Sequence, residues 1–147
     1  MNTIRIQRED FDIAAEIAKL DAENTGAVAT FTGMVRKEGD LTTLILEHYP
    51  QMTEREIARI VDDAASRWPL LGVTIIHRVG RLWPGDKIVL VAVAASHRGA
   101  AFEACQFLMD YLKTRAPFWK QEERGGQTTW VEARHSDNQA AERWRKP

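Results

Sequence analysis

An uninterrupted apolar run, from Ile88 to Ala95, constrains the fold of this chain more than any other feature. A strand with one solvent-exposed face alternates polar and apolar residues. This run is apolar at every position, so both of its faces must be covered by other parts of the protein. It is also far too short to cross a bilayer. We therefore predict a central strand, Ile88 to Ser96, enclosed between layers of other elements.

Composition narrows the class of protein. The chain has 147 residues, of which 44% are hydrophobic and 28% charged, as in an ordinary globular protein, and we expect one domain over residues 1–147. Its net charge of −1 provides no field that would draw it to nucleic acid or to a membrane. One cysteine excludes an internal disulfide, and the N-terminus lacks the layout of a signal peptide, so we expect a cytoplasmic protein.

The remaining strands and helices are mixed without strict alternation. We predict strands over Ala27 to Val35 and Leu41 to His48, with the polar loop Arg36 to Asp40 joining them as an antiparallel hairpin. Gly33 is expected at a bulge or a close approach. The further predicted strands are Val73 to Val79 and Trp130 to Ala133. This pattern indicates the α+β class, a mostly antiparallel sheet with packed helices.

Two helices have clear signatures. Thr53 and Glu56 form a capping-box pattern at the start of a helix that Pro69 ends. A second helix is predicted from about Gly99 to Arg115. Its expected buried stripe comprises Phe102, Cys105, Met109 and Leu112.

The end of this second helix is the strongest candidate for an active site. Pro117 cannot continue a helix and disfavours helical geometry in the residue before it, so the chain must bend there. Lys113 leaves the last helical turn and Lys120 the extended stretch beyond, so two amines could converge on one anion or one carbonyl. Arg115 lies between them and suits phosphate or carboxylate. The ordinary alternative is that Lys113 complements the helix dipole and Lys120 is a solvated surface charge.

Two further basic positions stand at strand ends. Ser96-His97-Arg98 follows the apolar strand and precedes a helix, where anions are favoured, although a strand end that simply meets water is an equal alternative. Arg36 closes another strand, and its value as a ligand depends on its closeness to the other groups. The four histidines are scattered and there is no glycine-rich phosphate loop, so we expect no metal site and no cofactor.

Five runs together resemble the catalytic (large) subunit of molybdopterin synthase. They occur in that family's order and at similar separations, and they cover nearly the whole chain. The runs are Thr30 to Arg36, Leu46 to Pro50, Arg81 to Asp86, Ser96 to Arg98 and Lys113 to Lys120.

The resemblance implies an α/β hammerhead fold and a homodimer within a heterotetramer. Each large subunit would bind a small ubiquitin-like sulfur-carrier subunit. The family transfers sulfur from the carrier's C-terminal thiocarboxylate to cyclic pyranopterin monophosphate, which forms the molybdopterin dithiolene in molybdenum cofactor biosynthesis.

The resemblance also assigns roles to residues. By matching motifs, Lys113 and Lys120 take the catalytic positions. Met34 stands where members of the family often carry a basic residue, so its contact is expected through the backbone. The implied substrate-binding residues are Met34, Val35, Arg36, His97, Arg98, Lys113, Lys120, Gln121 and Glu122.

The competing hypothesis is a module without chemistry that binds an anionic ligand or the C-terminal tail of a partner protein. Tail binding needs an exposed strand edge and one cation, whereas the enzyme needs both lysine amines at the reacting atoms. The enzyme hypothesis therefore predicts one cavity that gathers the two lysines with the basic groups from the strand ends. The loop Glu123 to Gln127 is expected to be either a flap over that cavity or a hairpin turn.

Overall fold

The computed structural model describes residues 2–131 and 135–145, which form two four-stranded sheets and four helices. The strands are β1 (Asn2–Gln7), β2 (Ala27–Met34), β3 (Leu41–His48), β4 (Leu70–Arg78), β5 (Gly80–Leu82), β6 (Lys87–Ala95), β7 (Phe118–Arg124) and β8 (Gln127–Val131). The helices are α1 (Ile13–Ala18), α2 (Met52–Arg67), α3 (Arg98–Thr114) and α4 (His135–Glu142). Within these described ranges, no helix is long and apolar enough to span a membrane. The α+β class is confirmed.

Sheet A contains the predicted central strand. Its order is β1-β4-β6-β2, with β1 parallel to β4 and the other pairs antiparallel. The odd-numbered residues of β6, such as Val91, join the core beneath α2 and α3. On the opposite face Leu90 packs with Phe11, and Ala92 and Ala94 pack with Leu20. Both faces of β6 are therefore covered, as the apolar run predicted.

The start of α2 differs from the prediction. Gln51 is the N-cap, and its backbone N–H donates to Glu54 Oε1 at 2.9 Å. The predicted Thr53–Glu56 capping box is therefore wrong. The motif is displaced by two residues because the Thr53 hydroxyl is committed to a tertiary hydrogen bond with Pro117.

The buried stripe of α3 also differs in one residue. Phe102 is 67% exposed, whereas Cys105, Met109 and Leu112 are buried as predicted. The face that packs on sheet A is centred on Ala101 and Leu108, and Phe102 lies beyond its margin.

The predicted hairpin between β2 and β3 is wrong, because the two strands lie in different sheets. β2 pairs with β6, whereas β3 pairs with β5 and β7 in sheet B, whose order is β5-β3-β7-β8. Beyond β2, the Val35 N–H donates to the Asp86 carbonyl, and the Val35 carbonyl accepts from the Gly85 N–H, both at 2.8 Å. The turn after β5 therefore takes up the backbone bonds that a hairpin would have used.

Two predictions about glycines are resolved by the structure. The β2–β6 register shifts between Gly33 and Met34, and a Cβ at Gly33 would lie 2.8 Å from Val89 Cγ1, so both a bulge and a close approach are present. Gly125 and Gly126 have φ values of 52° and 80° and join the paired strands β7 and β8, so this loop is a hairpin turn. β8 ends at Val131, and positions 132–133 of the predicted last strand lie outside the described residues.

A second, smaller core fixes sheet B against the end of sheet A. Its buried side chains are Val35, Leu41, Leu44, Leu46 and Leu82, with Ile88 packed against them. The junction between the two sheets, close to the C-terminal end of α3, is where the predicted site residues must meet.

Candidate active site

A cavity of about 470 Å³ lies where the two sheets meet the end of α3. Its walls are the end of β2 with the loop that follows, the inner faces of β3 and β7, and the last turn of α3. The lining residues are Met34, Val35, Arg36, Glu38, Leu41, Leu44, Leu46, His77, Ile88, Leu112, Lys113, Ala116, Phe118, Lys120, Glu122 and Val131. Arg36, Lys113 and Lys120 therefore share one cavity, although they come from distant parts of the sequence.

The chain bends at Pro117, as predicted. The N–H of Arg115, the C-cap of α3, donates to the Tyr111 carbonyl at 2.7 Å. The Phe118 N–H then donates to the Ala116 carbonyl at 2.9 Å, which closes a γ-turn around the proline. Lys113 thus leaves the last turn of a helix and Lys120 leaves the strand beyond the bend.

Strand alternation decides which residues of β7 face the cavity. Phe118, Lys120 and Glu122 line it, because successive side chains of a strand point to opposite faces. Gln121 lies on the other face, opposite Trp130 of β8. The structure of one chain therefore does not bring Gln121 together with Lys120 and Glu122.

The end of β2 supplies the second wall. Met34, Val35 and Arg36 all line the cavity, and Arg36 reaches Glu38 at 3.5 Å. Arg124 of β7 ties down the loop that follows, because it donates to the Glu38 carbonyl at 2.8 Å and to an Asp40 carboxylate oxygen at 3.1 Å. The guanidinium of Arg36 is thus carried on a loop that is fastened to the strand of Lys120.

His97 and Arg98 do not reach this cavity within one chain. They begin α3, whereas Lys113 lies in its last turn. A helix of 17 residues rises about 1.5 Å per residue, so its ends are about 25 Å apart. The prediction that all the basic groups surround one cavity is therefore wrong for the single chain, and His97 and Arg98 are exposed at the opposite end of sheet A.

His77 is a cavity residue that sequence reasoning missed. Its ring stacks on Phe118, with centroids 3.9 Å apart and 17° between the planes. Nδ1 lies 2.8 Å from the Arg78 carbonyl, which can only accept, so Nδ1 carries the hydrogen and Nε2 is left as an acceptor. Burial lowers the pKa of His77 to about 4, with smaller contributions from the charges of Lys113 and His48. The cavity wall thus contains a neutral imidazole near Lys113.

Two groups that could have taken part are engaged elsewhere. Arg115 pairs with Glu56 at 3.0 Å and lies over the ring of Tyr111, so it is not among the cavity-lining residues. Cys105 is buried in the core beneath α3, and burial raises the pKa of its thiol to about 11. The thiol therefore stays protonated at neutral pH and has little nucleophilic character.

The cavity combines cations with an apolar wall. Arg36, Lys113 and Lys120 supply donors, Glu38 and Glu122 supply carboxylates, and a leucine-rich surface covers much of the rest. Such a site suits an anionic ligand with a flat, largely apolar body. Within the described ranges, no cluster of three or more His, Cys, Asp or Glu side chains is arranged to hold a metal ion.

Sequence comparison identifies the family. A profile of the family described as MoaE protein matches residues 6–115, which is most of the chain. The chain belongs to the MoaE protein family. The matched region contains Arg36 and Lys113, and Lys120 follows five residues after its end.

Individual relatives agree over almost the full length. The chain is 58% identical to the molybdopterin synthase catalytic subunit of Mesorhizobium japonicum, over 97% of this chain and 93% of the relative. It is 57% identical to the protein of the same name from Escherichia coli, over 92% and 93%. The solved structure of the molybdopterin biosynthesis MoaE protein from Burkholderia ambifaria matches with a TM-score of 0.85 and 53% identity over 98% of both chains. The resemblance predicted from the five runs is therefore confirmed.

Proposed function

We propose that this chain transfers sulfur from the C-terminal thiocarboxylate of a small ubiquitin-like carrier to cyclic pyranopterin monophosphate, as a molybdopterin synthase catalytic subunit. The observation that carries this function is the placement of Lys113, Lys120 and Arg36 around one cavity. The family membership and the names of the relatives support the same reaction.

The lysines stabilise charge that develops during transfer. The sulfur of the thiocarboxylate bonds to a carbon of the pterin and displaces an oxygen substituent from it. Water then cleaves the acyl–sulfur bond, so the sulfur stays on the pterin and the carrier leaves as a carboxylate. Oxyanion and thiolate character develops in these steps. Lys113 contacts the incoming thiocarboxylate and assists its attack. Lys120 balances charge and moves protons as the cyclic phosphate opens. Arg36 holds the phosphate, for which its planar guanidinium is well suited.

The apolar wall of the cavity strengthens the electrostatic effect of the lysine ammonium groups. Leu44, Leu46 and Leu112 line the cavity together with the stacked pair His77–Phe118. A pterin ring seated on this surface excludes water, and an ammonium group acts more strongly on a developing anion in a site of low dielectric constant. Glu122, on the same face of β7 as Lys120, lies along the bound substrate.

A second copy of the chain supplies His97 and Arg98. These residues are about 23 Å from Lys113 along α3, so they reach a substrate only if another protomer brings its own α3 N-terminus to the cavity. We propose a homodimer with two such composite cavities, each served by one carrier subunit within a heterotetramer. The cytoplasm is the proposed location, because its reducing conditions preserve a thiocarboxylate.

The rival function is a module that binds a partner's C-terminal tail without reaction. A tail carboxylate needs one cation, whereas the cavity holds two lysines and an arginine next to a wall that suits a flat ring. This surplus of cations favours the enzyme.

Reconstitution tests the two functions directly. Purified chain, thiocarboxylated carrier and cyclic pyranopterin monophosphate are expected to yield a dithiolene that is measured after oxidation to a fluorescent pterin. Lys113→Ala is expected to abolish the product while the fold and carrier binding remain intact. The matched control is Lys19→Ala, which changes an exposed lysine at the C-terminal end of α1 and is expected to keep full activity. Carrier binding without any turnover by the unmodified protein would support the module, and full activity of Lys113→Ala would remove that lysine from the mechanism.

A further inference from the structure

The Thr53 hydroxyl lies behind the cavity wall and is fully buried. It accepts a hydrogen bond from the Tyr49 N–H at 3.0 Å and donates one to the Pro117 carbonyl at 3.0 Å. A hydroxyl has one donor, so the side chain of Thr53 ties the first turn of α2 to the proline of the bend. Neither Thr53 nor Pro117 lines the cavity.

Other residues of the bend are held from the same side. Arg115 pairs with Glu56 of α2 at 3.0 Å, and the ring of Trp119 meets the Tyr49 ring edge-on with centroids 4.2 Å apart. The alternate positions face the other way, because the cavity is lined by Ala116, Phe118 and Lys120. The bend thus has an anchored face, made by residues 115, 117 and 119, and a reactive face.

The two lysines lie on opposite sides of the anchored proline. Lys113 belongs to α3 and Lys120 to β7, so any change of the angle at Pro117 changes the distance and direction between their ammonium groups. A misplacement of about 1 Å in a reacting constellation costs on the order of 10²-fold in rate. The hydrogen bond to the Pro117 carbonyl restrains this angle.

We propose that Thr53 is a positioning residue that sets the relative placement of Lys113 and Lys120, which rests on the sulfur-transfer function proposed above. It acts through the backbone of Pro117 and does not touch the substrate. Removal of its hydroxyl leaves two part-buried backbone groups, the Tyr49 N–H and the Pro117 carbonyl, without this partner.

Isosteric replacement in the full protein, assayed with carrier and pterin, is the test. Thr53→Val removes the hydroxyl and keeps the shape, and we expect kcat to fall by roughly 10- to 100-fold. The KM for the pterin is expected to stay within about threefold, because Arg36 and the apolar wall are unchanged. Thr53→Ser keeps the hydroxyl and is expected to retain kcat within about threefold of the unmodified protein.

A control on the same helix separates positioning from general loosening. Val61 is buried two turns further along α2, and Val61→Ala removes methyl groups from the core without touching the bend. Assayed below its melting temperature, Val61→Ala is expected to retain kcat. If Thr53→Val does not fold, Thr53→Ala replaces it, since it also lacks the hydroxyl that bonds the Pro117 carbonyl.

Three results would overturn the inference. The first is a kcat of the hydroxyl-free variant within threefold of the unmodified protein. The second is a fall in the kcat of Thr53→Ser as large as that in the hydroxyl-free variant, and the third is an equally large fall in the kcat of Val61→Ala. Each of these leaves the loss of product in Lys113→Ala untouched, so failure of the positioning role is distinguishable from failure of the proposed function.

Discussion

The imidazole of His77 lies flat against the ring of Phe118, 3.9 Å from it, at the wall of the cavity. The two residues come from different sheets, β4 of sheet A and β7 of sheet B, so the stack joins the sheets where the site is formed. Because burial disfavours the charged imidazolium, the ring resists protonation, although the Nδ1–H bond to the Arg78 carbonyl acts in the opposite direction and raises the pKa of His77.

This resistance predicts a loss of stability in mild acid. In the unfolded chain His77 binds a proton near pH 6.5, but in the folded protein it does so only near pH 4. The unfolded state therefore binds more protons between these values, and the free energy of unfolding falls as the pH drops from about 6.5 to 4, by up to about 3 kcal/mol.

Urea denaturation at pH 7, 5.5 and 4.5 measures this effect. His77→Asn keeps a donor for the Arg78 carbonyl but cannot titrate, so it is expected to lose less stability over the same range than the unmodified protein. All other titrating groups are common to both proteins. Identical pH dependence of the two would show that His77 does not contribute.

Mixed dimers test the composite cavity. Lys113→Ala and Arg98→Ala are each expected to be inactive alone. After the two are unfolded together and refolded, half of the dimers are mixed, and each mixed dimer has one intact cavity of two, so about a quarter of the activity is expected to return.

The matched control for this experiment uses two changes on the same side of the cavity. Lys113 and Lys120 line one cavity in a single chain, so a mixture of Lys113→Ala and Lys120→Ala contains no intact cavity and is expected to stay inactive. An inactive Lys113→Ala and Arg98→Ala mixture, with mixed dimers demonstrated, would show that the composite cavity does not exist.

Sequence predicts the elements of this fold better than their pairing. The apolar run from Ile88 correctly predicts a central strand, because coverage on both faces is a local requirement on every side chain. The loop after Val35 has the composition of a hairpin, but composition does not say which backbone groups are available. Gly85 and Asp86 are distant from Val35 in sequence but adjacent to it in space, and they take those bonds, so β3 joins another sheet.

For the site too, the sequence predicts local features but not which distant residues come together. The bend at Pro117 is local, so the paired lysines are predictable from the sequence. His77 is a lone histidine at the end of a strand, and it becomes a cavity residue only through its stack on Phe118. His97 and Arg98 have the right chemistry, but the length of α3 carries them away from Lys113, which no local pattern reveals.

The N-cap of α2 predicts a stabilising substitution. Gln51 has φ 72° and ψ −48°, a backbone conformation that costs a residue with a Cβ about 1–3 kcal/mol. Gln51→Gly removes this strain and keeps the N–H that donates to Glu54, but it also makes the unfolded chain more flexible. We expect a net gain of about 1 kcal/mol in the free energy of unfolding.

Chemical denaturation measures this gain. Gln51→Ala is the control, since it removes the exposed side chain but keeps the strained backbone, and no comparable gain is expected. A glycine variant no more stable than the alanine variant would contradict the assignment of strain to this position.

Asp110 fastens the C-terminal helix to α3. Its buried carboxylate accepts from the Trp144 indole N–H at 2.6 Å, from Arg143 at 3.0 Å and from Gln106 at 2.9 Å. Asp110→Ala leaves these donors unpaired and is expected to lower the free energy of unfolding by roughly 2 kcal/mol. Trypsin is expected to cleave after Arg143 sooner in this variant.

Glu142→Ala is the control for the same helix, because its exposed contact with Arg145, at 3.9 Å, contributes little. It is expected to leave both stability and cleavage rate near those of the unmodified protein. Equal rates of cleavage in the two variants would show that Asp110 does not hold α4.

The interleaved faces of the Pro117 bend make the length of this segment more important than its composition. Anchors at 115, 117 and 119 alternate with cavity residues at 116, 118 and 120. A single inserted or deleted residue inside the bend would exchange the two sets and turn a reactive amine toward α2. Insertion or deletion of one codon in this short stretch is therefore expected to abolish activity, whereas many single substitutions within it leave the alternation of anchors and cavity residues intact.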